Sequence, residues 1–450
     1  MTEALAAAAT SRKRRALRGS IFELGTHGIQ VVARLASSLI TTRLLYPAAF
    51  GEASIVWALT TALVMFSDVA LAPMIIQSKR GDDPDFLNTA FTVQAVRGGV
   101  IGTVMCLLAK PVAWFYHDPA VAPLILLGSL QLFIAAFHST SIYSLRRSLK
   151  LGWLNAFELS QTLVIIVCTV GLAWYFRKAW TIVGGTIIGV FIFTVVSHFL
   201  PVPYKNRFRW EKKALEEIRT FGRWILGSSA AGFFSGQADR ILLGRFLGTT
   251  TLGVYGIAIV ISDAVMGAVT RLVTGVMFPV LTEAGRQEGA DVADLYYKVR
   301  KRLDVLSMGA TGLLAGLGGW FVHLLWDWRY AEAAWMLQIV FVRVGVAALV
   351  SAGENCLFAF GHSHFVFRRS IARLLGIVIC LPAGWLLGGV KGLIWGSVVA
   401  ECAALAVVWA GARSLGILRV SRELRAVAIF AACFAVGRLL LPWLPNLHLR

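Results

Sequence analysis

Long apolar runs alternate with short charged segments along the whole chain. The runs fall at about 20–44, 52–76, 89–109, 120–144, 152–175, 180–200, 220–244, 252–278, 304–326, 331–359, 366–388 and 391–413. Each approaches the ~20 residues a helix needs to cross an apolar core about 30 Å thick, so twelve spanning helices are predicted. Residues 424–441 form a shorter apolar stretch, readable either as a thirteenth span or as a helix lying at the interface.

The first run departs from uniform hydrophobicity. Glu23, His27, Gln30, Arg34, Ser37 or Ser38, and Thr41 recur at steps of three or four, so a helix gathers them on one face while Ile, Leu, Val and Ala take the others. If this helix enters a bilayer near Ser20, Arg34 lies roughly 21 Å in at about 1.5 Å per residue, beyond the midplane. An arginine at that depth costs about 2.5–3.5 kcal/mol on insertion scales and therefore faces a partner or a wet cavity. The competing reading is a Glu23–His27 or Arg34 contact that only locks helices together.

Composition agrees with a membrane protein: 450 residues, 57% hydrophobic and 15% charged, with mean hydropathy +0.71. The net charge of +19 would suggest nucleic acid in a soluble chain. Here the basic residues occupy the segments between spans, so they report topology and no nucleic-acid partner is expected. With the N-terminus in the cytoplasm, the inner segments hold Arg12 to Arg18, Lys79 and Arg80, Arg146 to Lys150, Lys205 to Arg223, Arg286, Lys298 to Arg302, Arg368, Arg369 and Arg373, and Arg413 to Arg425. The outer ones hold only Lys110, Arg177, Lys178, Arg329 and Lys391, besides Arg43 and Arg245 at helix ends, as the positive-inside rule requires. The six cysteines lie in apolar runs at spacings that fit neither zinc nor a disulfide framework. The basic N-terminus precedes an apolar run too long and too polar for a cleaved signal peptide, so the first helix is expected to be retained.

Two stretches repeat. Arg43-Leu44-Leu45 with Phe50-Gly51 matches Arg245-Phe246-Leu247 with Leu252-Gly253 at an ungapped offset of 245 − 43 = 202 residues. The expected organisation is an all-α integral membrane protein of two parallel-repeat six-helix lobes around a central cavity, with a possible short C-terminal helix. Its divisions are a basic cytoplasmic segment 1–19, an N-lobe 20–200, a basic linker 201–219, a C-lobe 220–413 and a C-terminal segment 414–450. The linker, with Trp210-Glu211-Lys212-Lys213-Ala214-Leu215, is expected to form a surface helix, as is the inner loop 280–303. The seventh span opens the second copy with its own stripe, Ser228, Gly232, Ser235 and Asp239. Serine and glycine there also suit simple close packing of helices.

Counted by depth, Arg34, Arg97, Asp263, Arg343 and Glu401 lie nearest the midplane, and Asp68, His138, Glu158, Arg271 and Glu354 lie toward the cytoplasmic end. Three central arginines against two carboxylates point to a modestly cationic site, and arginine's planar fork suits phosphate or carboxylate. The expected cargo cavity comprises Arg34, Arg97, Arg343, Gln30, His27, Asp239 and Arg240. Glu23, Asp68, Asp263, Glu354 and Glu401 are the gate or ion-coupling candidates, although Asp263 and Glu401 could equally serve to neutralise arginines. The sequence has no Walker-type loop, H-E-x-x-H or G-x-S-x-G, so no enzyme chemistry, metal or cofactor is expected. Energy would come from an ion gradient, the membrane potential or consumption of the cargo.

Four stretches carry a family resemblance: Arg43 to Gly51; Asp68-Val69-Ala70-Leu71 through Gln77, followed by Asn88-Thr89-Ala90-Phe91; Ala238-Asp239-Arg240 through Gly248 with Leu252 to Tyr255; and Phe278-Pro279-Val280-Leu281. Together they resemble the Wzx-like oligosaccharide flippases, the polysaccharide-transport branch of the multidrug/oligosaccharidyl-lipid/polysaccharide exporter superfamily. Ala70 departs from the pattern, since the family usually has glycine there. The resemblance implies translocation of an undecaprenyl-pyrophosphate-linked repeat unit of exopolysaccharide, capsule or O-antigen across the bacterial inner membrane. Membrane lipid and the lipid-linked glycan are then the partners, with a polysaccharide polymerase and co-polymerase as candidates. A cation-coupled multidrug exporter of the same superfamily is the alternative, and a membrane glycosyltransferase, polymerase or ligase is disfavoured because no large outer loop could house an acceptor site.

Overall fold

The computed structural model describes residues 25–26, 28–148, 151–202, 204–284 and 292–443, which are helical apart from their connections and contain no strand. We number the helices α1 (28–44), α2 (Pro47–Phe66), α3 (Leu71–Gln77), α4 (Pro84–Tyr116), α5 (Val121–Ala135), α6 (Ser141–Arg147), α7 (Leu151–Phe176), α8 (Trp180–Ser197), α9 (Lys212–Leu272), α10 (Phe278–Ala284), α11 (Val292–Leu325), α12 (Ala333–Ala359), α13 (Ser363–Ser414) and α14 (Val420–Leu440). Among the described residues, nine helices are long and apolar enough to cross a membrane. Two long ones are broken by glycine. α9 breaks at Gly248 (φ 72°, ψ 167°), and α13 at Gly388 and Gly389, the latter at φ 55°, ψ −136°, a conformation that essentially only glycine adopts. α14 is itself an apolar helix of spanning length, so the stretch at 424–441 joins the set.

The chain divides into two compact units. Unit 1 comprises residues 1–45 and 55–230; unit 2 comprises 46–54 and 231–450.

In unit 1 the second predicted span is interrupted. Asp68 accepts from the Ala70 backbone N–H at 2.8 Å, Ala70 turns into the left-handed region (φ 55°, ψ 40°), and α3 restarts with Pro73 in its first turn, where no N–H partner is lost. Arg97 from α4 closes the upstream end, donating to the Val64 carbonyl at 2.6 Å and to Ser67 Oγ at 3.0 Å. α4 starts on an Asp83 cap with Pro84 next, a favoured first helical residue. The Asp83 carboxyl is held below its usual range by the Arg80 guanidinium, which outweighs partial burial; Arg80 also meets Glu211 at 2.7 Å.

The linker differs from expectation. Residues 204–211 are not helical but run as a strap on α4, and the helix begins only at Lys212. The backbone N–H groups of Arg207, Arg209 and Glu211 donate to Asn88 Oδ1, Thr92 Oγ1 and Thr89 Oγ1 at 2.8, 2.9 and 3.1 Å. The alternation is that of extended chain, and side-chain oxygens of α4 replace the missing ladder. The Asn88-Thr89 stretch therefore has a structural duty.

In unit 2, α14 packs along α11. Gly312 and Gly316 admit the backbone carbonyls of Phe430 and Phe434, and Gly437 meets Gly316, the small-residue packing that membrane helices use. At one end of this seam Arg300, 1% exposed, bonds Asp304 at 2.9 Å and Glu423 at 2.5 Å, and takes a further contact from Tyr296. Burial of that arginine is tolerable because both carboxylates and a hydroxyl satisfy its donors.

Candidate functional site, a charged cavity in unit 2

Five helical segments of unit 2 enclose a cavity of about 520 Å³: α9 on each side of its Gly248 break, α12, and α13 on each side of its own break. Asp239, Asp263, Glu354 and Glu401 line it with Arg343, Arg369 and Arg373. Arg343 Nη1 donates to Asp239 Oδ2 at 2.5 Å, Arg369 Nη2 to Glu354 Oε1 at 2.9 Å, and Arg373 Nε to Glu401 Oε2 at 2.9 Å. Each pair links different segments, so the charges also tie the walls together. Asp239 and Glu401 are buried, whereas Asp263 is exposed to the cavity. The apolar wall is supplied by residues such as Met266, Val350 and Phe358, the last stacked on Phe278 at 5.8 Å between centroids. A π-helical turn at Val273–Met277 adjoins Phe278 and alters the phase of the helix, a feature common at functional sites.

Asp239, Arg343, Asp263, Glu354 and Glu401 thus meet in one cavity, although the sequence divided them between cargo and coupling roles. Arg240 follows Asp239 on α9. Glu23 and His27 lie outside the described residues. Arg34, Gln30, Arg97 and Asp68 belong to unit 1. On α1 the exposed apolar residues Ile29, Val32 and Ile40 share one face, while Gln30, Arg34 and Thr41 lie on the opposite one, with Arg34 exposed. Arg97 spends donors on the end of α2, as described above.

Two cavity residues escaped the sequence reading. The charge pattern places Arg369 and Arg373 in an inner basic segment, but α13 begins at Ser363 and carries them into the cavity wall. A signal existed: Arg369 and Arg373 stand four apart on a helix, one face, within reach of carboxylates on neighbouring spans. With them the cavity holds four carboxylates and three guanidiniums. The cavity of unit 2 is therefore not cationic, unlike the modest positive balance expected from midplane residues.

This geometry, buried ion pairs around a polar cavity among helices long and apolar enough to cross a membrane, defines a multi-pass membrane protein with a charged interior cavity. Residues 40–335 match the family model described as "Polysaccharide biosynthesis protein", and the chain belongs to that family. It is 22% identical over 354 residues to the lipopolysaccharide biosynthesis protein WzxC of Escherichia coli, covering 76% of this chain and 71% of the relative. It is 20% identical to the teichuronic acid biosynthesis protein TuaB of Bacillus subtilis, covering 69% and 64%, and 20% identical to the succinoglycan biosynthesis transport protein ExoT of Rhizobium meliloti, covering 86% and 77%. Among solved structures, the fold is shared with the lipid II flippase MurJ in its inward closed conformation, at TM-score 0.76 and 10% identity, covering 94% of this chain and 93% of that one. It is also shared with an inward-facing multidrug resistance MATE family transporter of the MOP superfamily, at TM-score 0.63 and 11% identity, covering 89% and 95%.

Proposed function

We propose that this chain is a flippase that moves an undecaprenyl-pyrophosphate-linked oligosaccharide, a repeat unit of exopolysaccharide, capsule or O-antigen, across the bacterial inner membrane by alternating access. It acts as a transporter and not as an enzyme, with its N-terminus in the cytoplasm. Membership of the polysaccharide biosynthesis family over residues 40–335 carries this reading. The names of WzxC, TuaB and ExoT, each tied to a different bacterial glycan, support it. Arg34 and Arg343 are the residues we assign to the anionic headgroup, because guanidinium forks match phosphate oxygens. Asp239, Asp263, Glu354 and Glu401 are assigned to coupling or gating: a carboxylate that gains a proton or a cation releases its arginine partner. The lobe division at residues 20–200 and 220–413, the linker between them, and handover to a polymerase and co-polymerase belong to the same proposal. The test is deletion in a glycan-producing host: polymer should be lost and lipid-linked repeat unit should accumulate, both reversed by the wild-type chain. Unchanged polymer would refute the assignment.

One observation favours a second reading. Four carboxylates against three arginines is a surplus suited to cations, so a cation-coupled exporter of small cationic drugs is the competing function. Efflux of a cationic dye from cells expressing the chain, abolished by Asp239→Asn, would favour it.

A further inference from the structure

The strap at 204–211 is a poor candidate for a passive linker. Its backbone is fixed to α4 at three points, yet its large aromatic side chains remain in the open: Phe208 is 67% and Trp210 55% exposed, and Phe199 just upstream is 81% exposed. Phe208 keeps one ring contact, with Phe91 at 5.4 Å. Around these rings Lys205, Arg207, Lys212 and Lys213 are exposed and form no ion pair among the described residues. Arg209 pairs with Asp85 at 2.7 Å and Glu211 with Arg80 at 2.7 Å, and the four remaining cations are exposed, with Glu216 an exposed acidic residue on the following turn. The strap begins within seven residues of Ser197, where the apolar helix α8 ends. That places it, by chain length alone, at the boundary where a bilayer's headgroups lie.

We infer that the strap 204–211, with Lys212 and Lys213 that open α9, is a docking surface for the anionic headgroup layer of the bilayer, the aromatic rings entering the interface and Lys205, Arg207, Lys212 and Lys213 holding lipid phosphates. Interfacial aromatics favour the headgroup level, and each basic residue near an anionic surface contributes about 1 kcal/mol, about fivefold in affinity. The clamp by Asn88, Thr89 and Thr92 pre-orders the segment, so little conformational freedom is lost on docking.

The test titrates phosphatidylglycerol, phosphatidylcholine or inorganic pyrophosphate into the purified full chain in detergent and follows its melting temperature. Phosphatidylglycerol should raise the melting temperature and phosphatidylcholine should not. A variant with Lys205→Gln, Arg207→Gln, Lys212→Gln and Lys213→Gln should need at least about tenfold more phosphatidylglycerol for half the shift. Arginine at the three lysine positions should retain the wild-type response, which separates charge from fold. Phe208→Ser with Trp210→Ser should weaken the response while leaving the charge intact. Equal responses to both lipids, or an unaltered phosphatidylglycerol midpoint in the glutamine variant, would overturn the inference. An equal shift with pyrophosphate would replace the lipid surface by a free-phosphate site.

Discussion

Gly51 and Gly253, the paired glycines of the internal repeat, lie against each other's helices within unit 2. A Cβ on Gly51 would collide with the Thr249 carbonyl, and a Cβ on Gly253 with the Pro47 carbonyl. Pro47 and Thr249 are themselves 249 − 47 = 202 residues apart, the offset of the repeat, so the crossing is two-fold-like. Backbone touches backbone there, and nothing larger than hydrogen fits on either side.

Alanine at either glycine should therefore force the crossing apart. We expect Gly51→Ala and Gly253→Ala each to destabilise by about 1–3 kcal/mol, read as a lower melting temperature in detergent. The double substitution should cost less than the sum, because one separation relieves both collisions. Additive losses would contradict a shared crossing.

Ala70 holds a left-handed conformation that costs a non-glycine residue about 1–2 kcal/mol. Ala70→Gly should raise the melting temperature, and Ala70→Val should lower it. A neutral glycine substitution would mean the bend is not strained.

The α14 seam depends on a buried arginine. Glu423→Ala leaves Arg300 without its carboxylate partner from α14 and should destabilise by about 3–5 kcal/mol, with new protease sensitivity after α13. Glu423→Gln, which keeps an acceptor, should lose less. Unchanged protease resistance in Glu423→Ala would show that the glycine seam alone holds the helix.

Asp239 and Arg343 can be separated from mere packing by a cycle. Either single neutralisation, Asp239→Asn or Arg343→Gln, strands the other charge, whereas the double restores neutrality. The double should be more stable than Arg343→Gln alone by melting temperature, yet equally inactive in transport. Recovered transport in the double would reduce the pair to a structural link.

Much of this architecture is legible in the sequence because bilayer thickness imposes a length on every span, and α4, α7, α8, α11 and α12 coincide with or overlap predicted runs along most of their length. The repeat is legible as an offset, but its meaning is not: it is the crossing of α2 and α9 that brings Gly51 and Gly253 together. The break at Ser67 to Ala70 is hidden because hydropathy continues across it, and the cues, Asp68 as a cap and Pro73 two residues into the next helix, are local hydrogen-bond chemistry. Arg369 and Arg373 were misplaced for a related reason. A basic residue in the first turns of a spanning helix counts as loop charge until its carboxylate partner is seen. The strap failed as a predicted helix because its backbone finds acceptors on Asn88, Thr89 and Thr92, which no local pattern at 204–211 reveals.

Translocation of a lipid-linked anion is measured most directly in liposomes. The purified chain is reconstituted with fluorescent undecaprenyl-pyrophosphate-linked oligosaccharide, and access of an impermeant quencher to the label is followed with time under an imposed ion gradient. We expect quenching to pass beyond the outer-leaflet half with the wild-type chain, and to slow about tenfold or more in Arg343→Ala and in Arg34→Ala, taking the loss of one charge-assisted contact as at least about 1.4 kcal/mol. Quenching that stops at the outer-leaflet fraction, as in protein-free liposomes, would contradict the flippase; full speed in the arginine variants would contradict the assignment of the anion site.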